Sequence, residues 1–247
     1  MNEADFSEGM MPTEHIVKSF EDELDALSTA IAQMGGLTEV QLSGAIDSVA
    51  RKDLRLAEKT VASDAQIDAM EHEIEAQAVK LIALRQPMAR DLRETIAAFK
   101  IVSDLERIGD LSKNIAKRSI VILDQHDTPS RLMQSLSRMG RLALGQLKKV
   151  LDAYANRSLE EAQEVWMSDE EIDEMYNSIF RELLTYMMED PRMIGACTHF
   201  LFIAKNIERI GDHATNIAET INYLITGEWV VDERPKSDQT STVNMLS

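Results

Sequence analysis

Apolar residues recur at spacings of three and four along most of the chain, which is the pattern of amphipathic helices. The clearest stripes are Ile101, Leu105, Ile108, Ser112, Ile115 and Ile122, and Ile207, Ile210, Ala214, Ile217, Ile221 and Leu224. Both are heptad-like and call for partner helices in left-handed, coiled-coil-like packing. The whole pattern predicts six helices. The first runs from about Thr13 to Val49, with Gly35-Gly36 as a candidate kink. The second runs from about Leu54 to Leu84, and the third starts near Pro87 and ends near Leu123. Asp124-Gln125-His126-Asp127-Thr128 is a polar break, and Thr128-Pro129 reads as an N-cap followed by proline at the first helical position. The fourth helix reaches Tyr154 and the fifth Met188. Asp190-Pro191 opens the sixth, which Gly227 stops. Ser63-Asp64-Ala65-Gln66 and Ser168-Asp169-Glu170-Glu171 each fit a capping box. Residues 53–62 and 158–167 are therefore either continuous with the helix that follows or separate from it.

The third and sixth stripes carry the same phrase. Asp104-Leu105-Glu106-Arg107-Ile108-Gly109-Asp110 is followed by Asn114-Ile115-Ala116. Asn206-Ile207-Glu208-Arg209-Ile210-Gly211-Asp212 is followed by Asn216-Ile217-Ala218. The offset is 102 residues there and 105 earlier, where Met34-Gly35 aligns with Met139-Gly140 and Ser63-Asp64 with Ser168-Asp169. A match spread over two halves is an internal duplication. The fold expected is all-α, two tandem three-helix bundles over 12–123 and 129–226, with a disordered tail over 228–247. Gly109 and Gly211 lie inside helices, where glycine costs ~1 kcal/mol relative to alanine. A neighbouring helix passing close by would explain both.

The duplication also repeats carboxylates. Glu106 and Asp110 are i and i+4, as are Glu208 and Asp212, Asp64 and Asp68, and Asp169 and Asp173. On a helical wheel the two glutamate-led pairs fall nearly opposite Ile108 and Ile210, away from the core stripe. Glu71 and Glu75 extend the acidic face of the first copy; their counterparts are Tyr176 and Phe180. Like charges at this spacing destabilise a helix by a few tenths of a kcal/mol. One pair would be a solvated face. Four pairs at duplicated places point to two helices of each bundle sharing a multivalent cation. Oxygen-only donors suit iron, manganese, magnesium or calcium, with zinc also open. Asn114 and Asn216 fit helix–helix hydrogen bonds at least as well as ligation.

Composition narrows the function. With 26 basic and 43 acidic residues, the net charge of −17 argues against nucleic acid and against unaided adhesion to anionic lipid. No apolar run approaches the roughly 20 residues that span a bilayer. The acidic start, Met1-Asn2-Glu3-Ala4-Asp5, is no secretory signal, so a cytoplasmic protein is expected. The single Cys197 excludes an intramolecular disulfide and reads as a buried thiol. There is no Gly-rich phosphate loop, no His-Glu-x-x-His and no Glu-x-x-His of the di-iron bundles. His213 has Leu111 as its counterpart, and Trp229, beyond the last helix, is expected to pack back.

The doubled Glu-Arg-Ile-Gly-Asp-x3-Asn-Ile-Ala, the Arg85-Gln86-Pro87 and Asp91-Leu92-Arg93 segments and the Asp-x3-Asp pairs resemble the PhoU family of phosphate-uptake regulators. The likeness runs from about His15 to Gly227. It implies two three-helix bundles, a homodimer and no enzymatic activity. It implies a negative regulator of the phosphate-starvation response and modulator of phosphate uptake. The partners implied are the ATPase subunit of the phosphate ABC transporter and a phosphate-sensing histidine kinase, with the membrane reached only through them. It associates metal clusters with Asp64, Asp68, Glu106, Asp110, Asp169, Asp173, Glu208 and Asp212. The alternative from another class is a carboxylate-rich metal protein, for iron storage or metalloenzyme chemistry, without a signalling role.

Overall fold

The computed structural model describes residues 11–123 and 130–230; the side chains of 11–19, 123 and 169 are not described. Every regular element among the described residues is helical. In chain order they are α1 (Met11–Arg51), α2 (Leu54–Arg85), α3 (Arg90–Leu123), α4 (Ser130–Asn156), α5 (Leu159–Met167), α6 (Asp169–Glu189) and α7 (Ile194–Thr226). A 3-10 turn, Pro191–Met193, leads into α7. These are the six rods that the hydrophobic pattern predicts, with the fifth broken into α5 and α6.

Local chemistry sets the ends. The Asp53 carboxylate accepts from Leu56 N at 3.0 Å and caps α2, and Ser158 Oγ does the same for α5 from Glu161 N at 3.2 Å. Asp190 accepts from Arg192 N at 3.0 Å with Pro191 first in the turn. Gly227 closes α7 at φ 82°, the left-handed cap position expected of it. No break interrupts α1 at Gly35-Gly36. The polar link and Thr128-Pro129 cap lie outside the described residues, as does the tail beyond Val230.

The two capping-box sequences resolve differently. Ser63 sits inside α2, its hydroxyl donating back to Thr60 O at 2.8 Å, so 53–62 runs on into the helix. Ser168 breaks the second copy. Gln146 Nε2 donates to Ser168 O at 2.8 Å, and Ser168 adopts φ −91°, ψ 4°. A side-chain amide has taken a carbonyl that a continuous helix would use. Ser168 makes no side-chain cap on α6.

Each half is a three-rod bundle, α1–α3 and α4–α7. The halves join through α3 against α7 and α1 against α4. One continuous core results, in which Ile31, Met34, Leu42, Ile101, Leu105 and Ile108 run into Leu132, Leu136, Phe200, Ile203, Ile207 and Ile210. Gly109 and Gly211 are close-approach points, as expected. A methyl on Gly109 would meet Gln41 Oε1 at 3.1 Å and Ile67 at 3.3 Å; one on Gly211 would meet Ile172 Cδ1 at 3.0 Å. Trp229 folds back onto Tyr223, with ring centroids 4.1 Å apart, and Lys100 Nζ lies 4.2 Å from its ring.

Candidate functional site

The acidic pairs sit where the second and third rods of each half face one another. In the first half α2 presents Asp64, Asp68, Glu71 and Glu75, and α3 presents Glu106 and Asp110. Asp64 is buried. Its Oδ1 accepts from Gln41 Nε2 of α1 at 3.1 Å, and its Oδ2 accepts from Lys113 Nζ. The same ammonium lies 2.5 Å from Asp110 Oδ1. Lys113 thus ties α2 to α3 through two carboxylates. Burial, with Asp110 and Glu71 close by, pushes the Glu106 carboxyl up to about 7. Burial acts on Asp110 too, but the Lys113 hydrogen bond and charge outweigh it and hold that carboxyl below its ordinary value. Asp110 thus gives up its proton at lower pH than neighbouring Glu106 does. Burial and then Glu75 raise Glu71 as well. Asp68 is half-buried, a turn from Glu71, and adds to that repulsion.

In the second half α6 supplies Asp173, and α7 supplies Glu208 and Asp212. Asp173 and Glu208 are both 5% exposed. Lys205 Nζ donates to Glu208 Oε1 at 2.9 Å, while Glu208 Oε2 is buried with no donor. Burial raises the Glu208 carboxyl, Lys205 opposes the rise, and Asp212 and Asp173 add to it. Where the first half has Glu71 and Glu75, Tyr176 is buried beside Phe180, ring centroids 6.4 Å apart. Lys205 Nζ stands 5.0 Å from the Tyr176 ring. The Asp169 side chain lies outside those described.

The helical-wheel placement of the carboxylates therefore needs correction. Glu208, set by the wheel away from the core, is buried, and so are Asp64 and Asp173, on which the wheel was silent. Each helix is flanked by two others, so a residue opposite one core stripe still meets a neighbouring rod. Among the described residues no group of three or more His, Cys, Asp or Glu side chains forms a ready cation cage. The donor set nevertheless fits a hard cation, because it is carboxylate throughout and leaves Glu208 Oε2 buried without a donor.

Three participants were missed in the sequence: Lys113, Lys205 and Gln41. The lysines had a signal, since Lys113 is i+3 from Asp110 and Lys205 is i−3 from Glu208. Gln41 comes from another helix, and its one signal was repetition, since Gln146 stands 105 residues on. His213 is a cross-half partner: its Nδ1 lies 2.8 Å from Asp104 Oδ1. Asn216 Nδ2 donates to the same oxygen at 3.2 Å, so Asn216 makes a helix–helix hydrogen bond. Asn114 is exposed. Cys197 is fully buried, and burial raises its thiol.

Known proteins share this architecture. The PhoU domain matches residues 31–119 and again 136–221, one match in each half. A phosphate-specific transport system accessory protein PhoU homolog of Caulobacter vibrioides (strain NA1000 / CB15N) is 56% identical over 226 residues, covering 92% of this chain and 98% of that protein. The phosphate-specific transport system accessory protein PhoU of Escherichia coli (strain K12) is 39% identical over 214 residues, covering 87% and 88%. The crystal structure of PhoU from Pseudomonas aeruginosa superposes with a TM-score of 0.82 at 38% identity, covering 85% of this chain and all of that one. That of the phosphate transport system regulatory protein PhoU from Streptococcus pneumoniae gives a TM-score of 0.79 at 33% identity, covering 85% of this chain and 99% of that one. With both halves matched and relatives aligned along nearly their full length, the chain belongs to the PhoU family.

Proposed function

We propose that this protein is an accessory regulator of phosphate uptake that works by docking and not by catalysis. It mutes the phosphate-starvation response when phosphate is plentiful, standing between the ATPase subunit of the phosphate ABC transporter and a phosphate-sensing histidine kinase. The observation that carries the reading is the full-length kinship with phosphate-specific transport system accessory proteins. No described helix is long and apolar enough to cross a membrane, so partners supply the membrane contact. It works in the cytoplasm as a homodimer. The fused six-rod core suits the role: a stiff body presents fixed faces, and a partner that prefers one state shifts the population toward it.

Metal enters as a brace. Asp64, Asp68, Glu106 and Asp110 would hold an ion in the first half, and Asp169, Asp173, Glu208 and Asp212 in the second. Iron, manganese, magnesium and zinc are the ions to test. Bound there, a cation would relieve carboxylate repulsion between paired helices. The rival reading, a metal-storage protein or metalloenzyme without signalling, has one observation in its favour, the buried Glu208 oxygen without a donor.

The test is capture of tagged protein, crosslinked in phosphate-rich and starved cells, with the membrane fraction identified by mass spectrometry. Phosphate-dependent recovery of the transporter ATPase and a histidine kinase is expected. A deletion strain should keep starvation genes on in rich medium. Normal repression in that strain, with no membrane partner recovered, would replace the adaptor reading with the metal-protein one.

A further inference from the structure

The rods α1, α3, α7 and α4 pack in a ring, each against the next. α2 covers the side between α1 and α3, and α5 and α6 cover the side between α4 and α7. No described rod packs on both α3 and α7, so the seam between them is open. Lys100, Arg107 and Arg118 recur on α3 at spacings of seven and eleven, which return to one side of a helix. The ends of that row are fixed at the seam. Lys100 Nζ lies 4.2 Å from the Trp229 ring, beside an open cavity of about 470 Å³. Arg118 lies over the Phe202 ring of α7 at 4.0 Å. Phe202 is itself 47% exposed. Exposed Arg209 follows it by seven residues on α7. Arg107 comes no nearer than 3.6 Å to Glu106, and Lys100, Arg118 and Arg209 form no ion pair among the described residues. The acids along the seam are already bonded: Asp104 accepts from Asn216 and lies against His213, and Glu219 accepts from Trp166 Nε1. A chain of net charge −17 thus carries one narrow cationic strip with an exposed aromatic ring at one end.

Resting on the docking role given above, we propose that the open α3–α7 seam is the face that receives an acidic helical segment of a partner protein. Its carboxylates would pair with Lys100, Arg107, Arg118 and Arg209, and an apolar side chain would pack on Phe202. From Lys100 to Arg118 the strip spans 18 helical rises, about 27 Å, or roughly five turns of a docked helix. The groove between two antiparallel rods is the shape that takes a helix. Guanidinium forks match carboxylates two bonds at a time. An anionic bilayer fits less well, because the strip is one helix wide and the rest of the acidic chain would be repelled. A second copy also fits less well, because a two-fold contact would set the basic row against itself.

The experiment places the photocrosslinker p-benzoylphenylalanine at position 202 of the tagged full chain in phosphate-rich cells. After irradiation the joined peptide is sequenced by mass spectrometry. The result expected is a peptide of another protein, net negative, with Asp or Glu recurring at spacings of three and four. The same probe at position 40, where Val40 of α1 is 70% exposed, should not yield that adduct. Arg107→Gln combined with Arg209→Gln, which leaves Arg118 on the ring, should cut the adduct roughly tenfold or more. If that pair does not fold by circular dichroism, Lys100→Gln at the far end of the strip replaces it and should cut the adduct several-fold. An undiminished adduct in a folded variant would overturn the proposal. So would an adduct to a neutral or basic peptide, to lipid or to a second copy of this chain. No adduct at position 202, in cells where the tagged protein still captures the transporter ATPase or the kinase, would overturn this face and keep the docking role. Capture of no partner by either route would remove both.

Discussion

His213 of α7 meets Asp104 of α3 across the seam between the two halves, Nδ1 to Oδ1 at 2.8 Å. The repeat counterparts of these residues are Leu111 and Asn206, so the link exists once, not twice. Asn216 donates to the same oxygen. Asp104→Ala would leave two half-buried polar groups without their acceptor, at a cost of about 1–3 kcal/mol. Urea unfolding should show that loss, and Asp104→Asn, which keeps an acceptor, should show less. A cycle with His213→Ala should give a coupling of at least about 0.5 kcal/mol. Additive losses would mean that the two side chains do not stabilise each other.

Glu106 gives a pH dependence with a definite sign. Its carboxyl rises from 4.5 to about 7 in the fold. The folded state therefore holds the proton more tightly than the unfolded chain. Its favourable contribution is complete below pH 4.5 and is lost as the pH rises through 7. Glu106→Gln should be more stable relative to wild type at pH 8 than at pH 5, by about 1 kcal/mol after allowing for solvent screening. Melts in chelator-containing buffer at both pH values check this. An equal difference at the two would show that the carboxyl titrates normally.

The helical glycines divide by their surroundings. A methyl at Gly36 or Gly145 meets nothing within 4 Å, so alanine there should add up to ~1 kcal/mol through helix propensity. A methyl at Gly140 would lie 2.7 Å from Ile46 Cγ1 of α1, a β-branched side chain in the buried seam. Overpacking of this kind costs about 1–3 kcal/mol, which outweighs the propensity gain. Thermal melts should rise for the first two and fall for Gly140→Ala.

Trp229 covers Tyr223 and lies under Lys100. Trp229→Ala should cost about 1 kcal/mol, since the ring is partly exposed and its stacking and cation–π contacts are each worth about that or less. Denaturation followed by circular dichroism measures it. Lys100→Ala should blue- or red-shift the Trp229 fluorescence; an unchanged spectrum would place the ammonium elsewhere in solution.

The rods were legible because apolar spacing, caps and Pro or Gly stops are local signals. Gly227, Asp190-Pro191 and the paired Gly109 and Gly211 read correctly for that reason. Ser168 did not. Its sequence matches Ser63, and only Gln146, reaching from α4, decides that one copy breaks while the other continues. The acidic pairs were found by repetition, but their burial was not, because a single helical wheel cannot count the neighbours packed around it.

By itself the sequence determined the duplicated all-α architecture, the six rods and the kinship, since each rests on periodicity and repeated phrases within short stretches. Tertiary structure alone decided how the equivalent clusters differ. Gln41 turns to Asp64 while Gln146 turns to Ser168, and Lys113 bridges two helices while Thr215 bonds within one. Those choices depend on which side chains from distant segments arrive at the same place, and on the cost of burying a carboxylate there without a partner.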